Sequence, residues 1–165
     1  MSLVLSGCNS MKPEKFQANT PALDLFSYFD GKTKAWGIFE DRFGNVRRQF
    51  EVKIDGKIED GKLTLDERFT YMDGEIDQRI WRIRKTKKNH YEGLADDVIG
   101  VAKGVVSGNA LNWKYDLNLK VGETTYAVHF DDWMFLQTGG VMINRARVSK
   151  WGVGIGQVTL FFTKP

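Results

Sequence analysis

Apolar and polar residues alternate along the chain from Lys34 onward, in short runs that end at turn residues. A period of two places successive side chains on opposite faces of a strand, whereas a helix requires a period of 3.6. Tight turns such as Gly44-Asn45 and Gly122-Glu123 connect neighbouring strands as antiparallel hairpins. The predicted strands are 34–43, 46–55, 62–72, 76–86, 90–95, 98–106, 109–121, 124–136, 141–148 and 153–163.

The number and spacing of these strands predict their arrangement. Strands joined in sequence by short hairpins form an up-and-down sheet, and closure into a barrel removes its exposed edges. Before the first strand, Thr20-Pro21 followed by an apolar face on Leu23, Phe26 and Phe29 predicts a helix over 20–29. We therefore predict an all-β fold, an up-and-down antiparallel β-barrel of about ten strands with a short N-terminal helix.

The stretch 95–108 allows two interpretations. Gly100, Gly104 and Gly108 recur every four residues, a spacing that one face of a helix would also show. Each Gly destabilises a helix by about 1 kcal/mol relative to Ala, so we favour a strand bent by glycine. The alternatives are a helix over 95–106 inserted into the barrel, and a two-sheet sandwich.

Composition excludes several classes of protein. Hydrophobic residues are 42% and charged residues 27% of the 165-residue chain, as in a globular domain rather than a disordered one. The 24 basic and 21 acidic side chains are too balanced for a dedicated nucleic-acid surface, so we expect no nucleic-acid partner. A single Cys excludes an internal disulfide, and His90 and His129 lack metal-binding spacing, so we expect no metal or cofactor.

A first predicted cluster of interior charges lies on the first three strands. A two-residue turn at Gly44-Asn45 pairs Asp41 with Arg48, and the alternation places Arg48 on the apolar, inward face. Glu67 lies on the same face of the next strand, diagonal to Arg48. Because an isolated buried charge is costly, we expect Arg48 to lie beside Asp41 or Glu67.

A second predicted pair lies on the eighth and ninth strands. A tight turn at Gly122-Glu123 places Asp132 opposite Trp113 on the inward face. A four-residue loop at 137–140 then pairs Asp132 with Arg145 inside the barrel. This pairing depends on the loop length, because a shift of one residue moves a whole row of side chains to the other face.

Interior arginines have two predicted roles. The charge pairs can fix strand register, or an arginine can bind the carboxylate or phosphate of an amphipathic ligand with its guanidinium fork. Inward aromatic residues would then hold the apolar part of the ligand. Trp81 belongs to this set if strand 76–86 turns Trp81 and Ile83 inward, which hydrophobicity favours over Arg82 and Arg84. The predicted ligand-binding residues are Arg48, Glu67, Tyr71, Trp81, Trp113, Tyr115, Asp132 and Arg145.

Two further features of the sequence bear on chemistry. The basic run 79–88 is interpreted as a solvated strand end, with contact to phosphates or anionic headgroups as the alternative. No Ser, base and orienting acid lie together in the sequence, and Asp131 and Asp132 point to opposite faces of a strand. We predict a protein that is not an enzyme, with acid–base chemistry by Glu67 or Asp132 as an alternative.

The N-terminus contains the only cysteine. Leu5-Ser6-Gly7-Cys8 matches the pattern at which bacterial signal peptidase cuts before a cysteine that is then acylated. Only Leu3, Val4 and Leu5 precede it as apolar residues, so we expect the full-length gene product to carry a complete signal peptide ending at Cys8. Residues 1–19 are then a signal remnant, lipidated cysteine and tether, and residues 20–165 a single barrel domain. The alternative is a cytoplasmic protein with an ordinary cysteine.

Several motifs together resemble a known family. They are Trp81-Arg-Ile, Tyr91-Glu-Gly-Leu-Ala-Asp-Asp-Val98, Gly108-Asn-Ala-Leu-Asn-Trp113, Asp131-Asp-Trp-Met134 and Ile143-Asn-Arg145. Over roughly residues 20–164 they resemble a family of uncharacterised Gram-negative lipoproteins, known as a domain of unknown function. A looser resemblance is to the calycins, the lipocalins and fatty-acid-binding proteins, although Ala35-Trp36-Gly37 departs from the lipocalin Gly-x-Trp start. The first resemblance implies a cell-envelope lipoprotein and the second a lined barrel cavity.

These observations lead to one leading expectation. We expect a lipoprotein anchored by Cys8 at the periplasmic face of the outer membrane, because by resemblance to known lipoprotein sorting a residue such as Asn9, rather than Asp, after the cysteine favours the outer membrane. Its barrel would carry or sense a lipid or other amphipathic molecule without catalysis. The alternatives are a structural or partner-docking lipoprotein with a filled barrel, and a small-molecule enzyme that uses interior carboxylates.

Overall fold

The computed structural model describes residues 11–165, and each predicted strand is present within a few residues of its expected bounds. A short helix, α1, spans Leu25–Phe29 and precedes the strands. The strands are β1 Gly31–Asp41, β2 Val46–Glu59, β3 Lys62–Tyr71, β4 Ile76–Lys87, β5 His90–Leu94, β6 Val98–Ser107, β7 Ala110–Val121, β8 Thr124–Leu136, β9 Met142–Lys150 and β10 Val153–Thr163.

The strands form one closed antiparallel barrel. Each strand pairs with its neighbours in sequence, and β1 pairs with β10 to close the sheet. The predicted all-β, up-and-down barrel is therefore confirmed. The hairpins β1–β2, β3–β4, β5–β6, β7–β8 and β9–β10 lie at one end, called here the open end. The opposite end, where α1 packs, is called the helix end.

Helix α1 covers the helix end of the barrel. Asp24 caps it by accepting a 2.8 Å hydrogen bond from the Ser27 backbone N–H, so the helix begins later than the predicted Thr20 cap. Tyr28 and Phe29 are buried, and the Tyr28 hydroxyl donates to the Gly140 carbonyl at 3.0 Å. Gly56 allows the helix to approach β2, because a Cβ at that position would overlap the Phe29 backbone.

A segment before α1 packs on the outer wall. Pro13–Phe16 forms one turn of 3-10 helix, and the Phe16 ring lies 5.7 Å from Trp133 and 5.2 Å from Phe135. Both partner rings belong to the outward face of β8, where Trp133 is buried nonetheless. Covering by Phe16 explains why an outward tryptophan is protected from solvent.

Inward rows of β2, β3, β7 and β8 form the core as the alternation predicts. The Trp113 indole lies across β5 and β6, where two small residues make room for it. A Cβ on Gly93 would lie 2.6 Å from the Trp113 ring, and a Cβ on Gly104 would overlap it. These two glycines are therefore required by packing.

Within the stretch 95–108, residues Val98–Ser107 form strand β6, as the Gly-bent interpretation predicts. Register between β6 and β7 slips between Ile99 and Lys103. Gly100 has φ of 71° in this bulge, a backbone conformation that favours glycine.

Candidate functional site

The open half of the barrel interior differs from the helix half. Near the helix end the inward side chains Leu63, Leu111 and Met142 are almost fully buried. Near the open end the inward side chains remain partly accessible to solvent although they face the interior. We call this accessible region the cup, and its wall contains Phe39, Phe50, Phe69, Tyr71, Leu119, Phe130 and Val158.

Arg48 lies at the mouth of the cup. It follows the inward row of β2, as predicted, and its guanidinium stacks 3.7 Å from the centre of the Tyr71 ring. Its Nη2 atom donates to Glu75 at 2.9 Å and to Asp73 at 3.4 Å. Its Nε and Nη1 atoms donate to no acceptor within residues 11–165. Arg48 is thus oriented by β3 and its loop, with two donor nitrogens remaining for a ligand.

The predicted partner of Arg48 was wrong. The β1–β2 loop spans residues 42–45 rather than two residues, and Arg48 pairs with Phe39 across the strands. Asp41 instead holds the loop together, accepting hydrogen bonds from the Phe43 and Asn45 backbone and from Arg47 Nε at 2.6 Å. Burial would raise the pKa of Asp41, but these hydrogen bonds outweigh it and lower that pKa to about 2.

The floor of the cup holds a second arginine, Arg79 of β4. Its Nε and Nη2 atoms bind the Asp97 carboxylate in a bidentate pair, with distances of 2.9 Å and 2.7 Å to Oδ2. Glu67 is the cross-strand neighbour of Arg79 on β3 and lies on the same inward face. Burial raises the pKa of Glu67 to about 7, although the positive charge of Arg79 works to lower it.

Asp132 of β8 completes the floor. It is opposite Trp113, as predicted, and only 6% exposed. The amide Nδ2 of Asn144 donates to its carboxylate, and the Asn144 Oδ1 atom is buried without a hydrogen-bond partner among the described residues. Burial raises the pKa of Asp132 to about 7, and the nearby Glu67 carboxylate raises it further. In its protonated form, an interior carboxyl can donate a hydrogen bond as well as accept one.

The prediction that Arg145 points into the barrel was wrong. Residues 137–141 separate the paired residues Leu136 and Met142, one residue more than the predicted loop. This extra residue places Ala146 opposite Asp132 and turns Asn144 inward, while Arg145 points to solvent on the outer wall. The role assigned to Arg145 in ligand binding therefore loses its structural basis.

The predicted aromatic residues do face the interior. Trp81 and Ile83 are buried, so β4 turns them inward as hydrophobicity favoured. Trp81 contacts Trp113 and Tyr115 edge to face, and Tyr115 stacks on Phe130 with ring centres 5.0 Å apart. Trp81 and Trp113 fill the barrel below the floor, whereas Tyr71 lines the cup. Whether these residues bind a ligand stays a prediction.

Sequence reasoning missed three members of the floor: Arg79, Asp97 and Asn144. The sequence predicts the basic run 79–88 to be a solvated strand end, but Arg79 lies inside with a side chain 21% exposed. The alternation along the strand could have placed Arg79 inside, because a strand that turns Trp81 inward also turns inward the residue two positions earlier. Asp97 lies in a loop, and Asn144 depended on the misjudged length of loop 137–141, so periodicity indicated neither.

A second concave surface lies on the outer wall. It is an open groove of about 710 Å³ across β10, β1, β2 and β3, lined on its outer side by residues such as Trp36, Lys53 and Phe161, and it shares Phe50 and Tyr71 with the cup wall. Trp36 points outward as predicted and is 43% exposed. The groove lacks the buried ionisable groups that distinguish the cup.

Two other observations concern the described part of the chain. Residues 11–165 contain no helix that is long and apolar enough to cross a membrane. Within the same residues, no three His, Cys, Asp or Glu side chains are placed to hold a metal ion. Cys8, the predicted lipidation site, lies outside the described residues.

The fold is a closed up-and-down β-barrel of ten antiparallel strands. The chain belongs to the family described as Protein of unknown function (DUF3833), whose model matches residues 2–164. The resemblance to a domain of unknown function is thereby confirmed. The structure is also similar to that of the S-type phycobiliprotein lyase CPES from Guillardia theta, with a TM-score of 0.65, 8% identity, and coverage of 94% of this chain and 98% of that chain. At this identity the likeness shows the fold alone. The comparison with curated proteins found no match.

Proposed function

We propose that this protein binds one amphipathic small molecule, such as a lipid, in the cup at the open end of its barrel. The observation that carries the proposal is the placement of partly exposed aromatic side chains beside Arg48 at the open end, above the ionisable groups Glu67, Arg79 and Asp132. A purely structural barrel would be expected to fill this half with apolar side chains, as it does near the helix end. Small-molecule sites typically combine such apolar walls with a few convergent polar groups.

The cup has complementary places for the two parts of such a ligand. Phe50, Phe69 and Phe130 offer apolar contact along the wall. Arg48 at the mouth offers two free donor nitrogens to a carboxylate or phosphate, and its stacking on Tyr71 fixes the guanidinium plane. The ligand would therefore lie with its tail toward the floor and its anionic group at Arg48.

The experiment is a titration of the full chain with the fluorescent fatty acid cis-parinaric acid. Arg48→Met should weaken binding about tenfold or more, because a charged hydrogen bond contributes at least about 1.4 kcal/mol. Arg145→Met is the matched control, since it makes the same chemical change on the outer wall and should bind within twofold of wild type. Equal affinity of all three proteins, or no saturable binding, would contradict the proposal.

Acid–base chemistry is a second candidate, favoured by one observation. Glu67 and Asp132 both have pKa values of about 7, which suits a carboxyl group to exchange protons near neutral pH. A molecule bound by the wild type should then be recovered chemically changed, and recovered intact from Glu67→Gln. Recovery of the same intact molecule from both proteins supports carriage without catalysis.

The proposal also includes a place in the cell envelope. The support is the Leu5-Ser6-Gly7-Cys8 sequence, which fits acylation at Cys8 and anchoring at the periplasmic face of the outer membrane. Feeding cells that express the full-length gene with a clickable fatty acid should label the protein. The label should be lost in Cys8→Ser, and labelling of that variant would place the lipid elsewhere.

A further inference from the structure

We infer that three adjacent hairpin tips at the open end form a docking surface for an anionic lipid bilayer. The tips belong to the hairpins β1–β2, β9–β10 and β7–β8, which follow one another around the barrel. Each tip ends in exposed apolar side chains. These are Phe43, Val121, Trp151 and Val153, with exposures of 77%, 56%, 89% and 55%.

Every one of these tips places a basic residue directly beside its apolar residue. Arg42 lies 5.2 Å from the Phe43 ring, and Lys150 lies 4.4 Å from the Trp151 ring. Lys120 precedes Val121 in the third tip. None of these three cations forms a salt bridge with a carboxylate among residues 11–165. Aromatic residues flanked by Lys and Arg are typical of side chains that lie at the boundary between lipid tails and anionic headgroups.

The other two hairpin tips at the open end carry acidic residues. The β3–β4 tip carries Asp73 and Glu75, which share Arg48, and the β5–β6 tip carries Asp96 and Asp97, which bind Arg82 and Arg79. Within the three apolar tips the acidic residues are Asp41, which is bound by Arg47, and Glu123 in the β7–β8 turn. The β3–β4 tip also exposes apolar side chains, Met72 at 80% and Ile76 at 76%, so the three tips are distinguished by cations that form no salt bridge among residues 11–165 and that complement an anionic surface.

The backbone at Trp151 supports a role for this side chain. Trp151 and Gly152 have φ values of 51° and 78° in a two-residue hairpin turn. Such turns strongly prefer Asn, Asp or Gly, and a bulky residue with positive φ is strained. A tryptophan in this position is nearly fully exposed and costs stability, so packing within the chain does not explain it. Strain of this kind is typical of functional positions.

The inference is independent of the proposed ligand, and it is tested with the full unlipidated chain. Co-sedimentation with vesicles of phosphatidylglycerol and phosphatidylcholine should show binding, and vesicles of phosphatidylcholine alone should bind at least fivefold less. Trp151→Asn should reduce binding to the anionic vesicles at least fivefold while raising the melting temperature, because Asn suits the turn. Loss of binding together with a gain in stability separates docking from unfolding.

Ile143→Thr is the matched control, since it removes an exposed apolar side chain from the outer wall near the helix end. It should bind vesicles as the wild type does. Equal binding by Trp151→Asn and wild type, or no binding to anionic vesicles, would overturn the inference. A dimer of the wild type that Trp151→Asn dissociates in analytical ultracentrifugation would overturn it too, since the rim would then bind a second copy.

Discussion

Arg79 and Arg145 show how much the surroundings of one residue type differ across a barrel wall. Arg79 lies inside in a bidentate pair with Asp97, whereas Arg145 lies outside and forms no salt bridge among the described residues. Removing one partner of a shielded charge pair leaves the other uncompensated, while surface charges contribute little. The two arginines therefore allow a matched test of the interior cluster.

Arg79→Met should lower the free energy of unfolding by about 2 kcal/mol or more, because Asp97 and Glu67 lose their cation. Arg145→Met should change it by less than about 0.5 kcal/mol, as for most surface substitutions. Urea denaturation of both variants measures the difference. Equal losses would show that the interior pair contributes no more than a surface charge.

The raised pKa of Asp132 makes the stability of the fold depend on pH. Its ordinary pKa is 3.8 and its folded pKa is about 7, so between these values the folded chain holds a proton that the unfolded chain has released. The contribution of Asp132 to the free energy of unfolding is therefore largest at low pH, and it is lost as the pH rises toward 7. Glu67 acts in the same direction.

Asp132→Asn removes this titration while keeping an oxygen to accept from Asn144. The wild type should lose on the order of 1–3 kcal/mol of unfolding free energy between pH 5 and pH 7.5, and the variant should lose less. Denaturant titrations at the two pH values measure the change. A wild-type curve that rises over this range, or parallel losses in both proteins, would contradict the shifted pKa of Asp132.

The sequence predicted which side chains face the barrel interior better than it predicted which residues those side chains pair with. Arg48, Glu67, Trp113 and Asp132 face inward because a period of two requires it once the apolar face is buried. Their partners depend on loop lengths, and both the β1–β2 and β8–β9 loops are longer than predicted. One residue in a loop turned Asn144 inward in place of Arg145, which is the physical limit of register reasoning from one sequence.

At the scale of elements, the fold rests on close packing between β6 and the Trp113 side chain of β7. Gly104 has no side chain, and the indole occupies the space where its Cβ would lie. Sequence periodicity found both strands, but it could not show that this glycine is required by packing rather than by a turn. The reason is that the space at Gly104 is needed by the Trp113 side chain, which lies on a different strand.

Gly104→Ala should destabilise the barrel by about 1–3 kcal/mol, because the buried ring and strand must shift to admit a methyl group. Gly154→Ala is the control, since nothing lies within 4 Å of its Cβ position and its φ is not positive. Its effect should stay within about 0.5 kcal/mol. Thermal melting of the two variants compares them, and equal destabilisation would show that space around Trp113 is not limiting.

The N-terminal part of the fold was the least predictable element. The apolar spacing of Leu23, Phe26 and Phe29 correctly indicated a helix but overestimated its length, because Asp24 rather than Thr20 provides the cap. The docking of Phe16 on Trp133 and Phe135 had no local signal, since it is a contact between distant parts of the sequence.

At the scale of the whole molecule, the barrel is asymmetric along its axis. One end is covered by α1 and filled with Trp81, Trp113 and aliphatic side chains, and the other is accessible and contains ionisable groups. The same open end carries the apolar, basic hairpin tips. A ligand cup and a membrane-facing rim at one end would let an amphipathic molecule pass between a bilayer and the barrel.

The central claim is that the cup, rather than the outer groove, holds the ligand. A crystal structure of the full chain grown with palmitic acid tests it most directly. We predict electron density for one acyl chain between Phe50, Phe69 and Phe130, with the carboxylate at Arg48. Density confined to the outer groove between Trp36 and Phe161, or an unoccupied cup at saturating palmitate, would contradict the account.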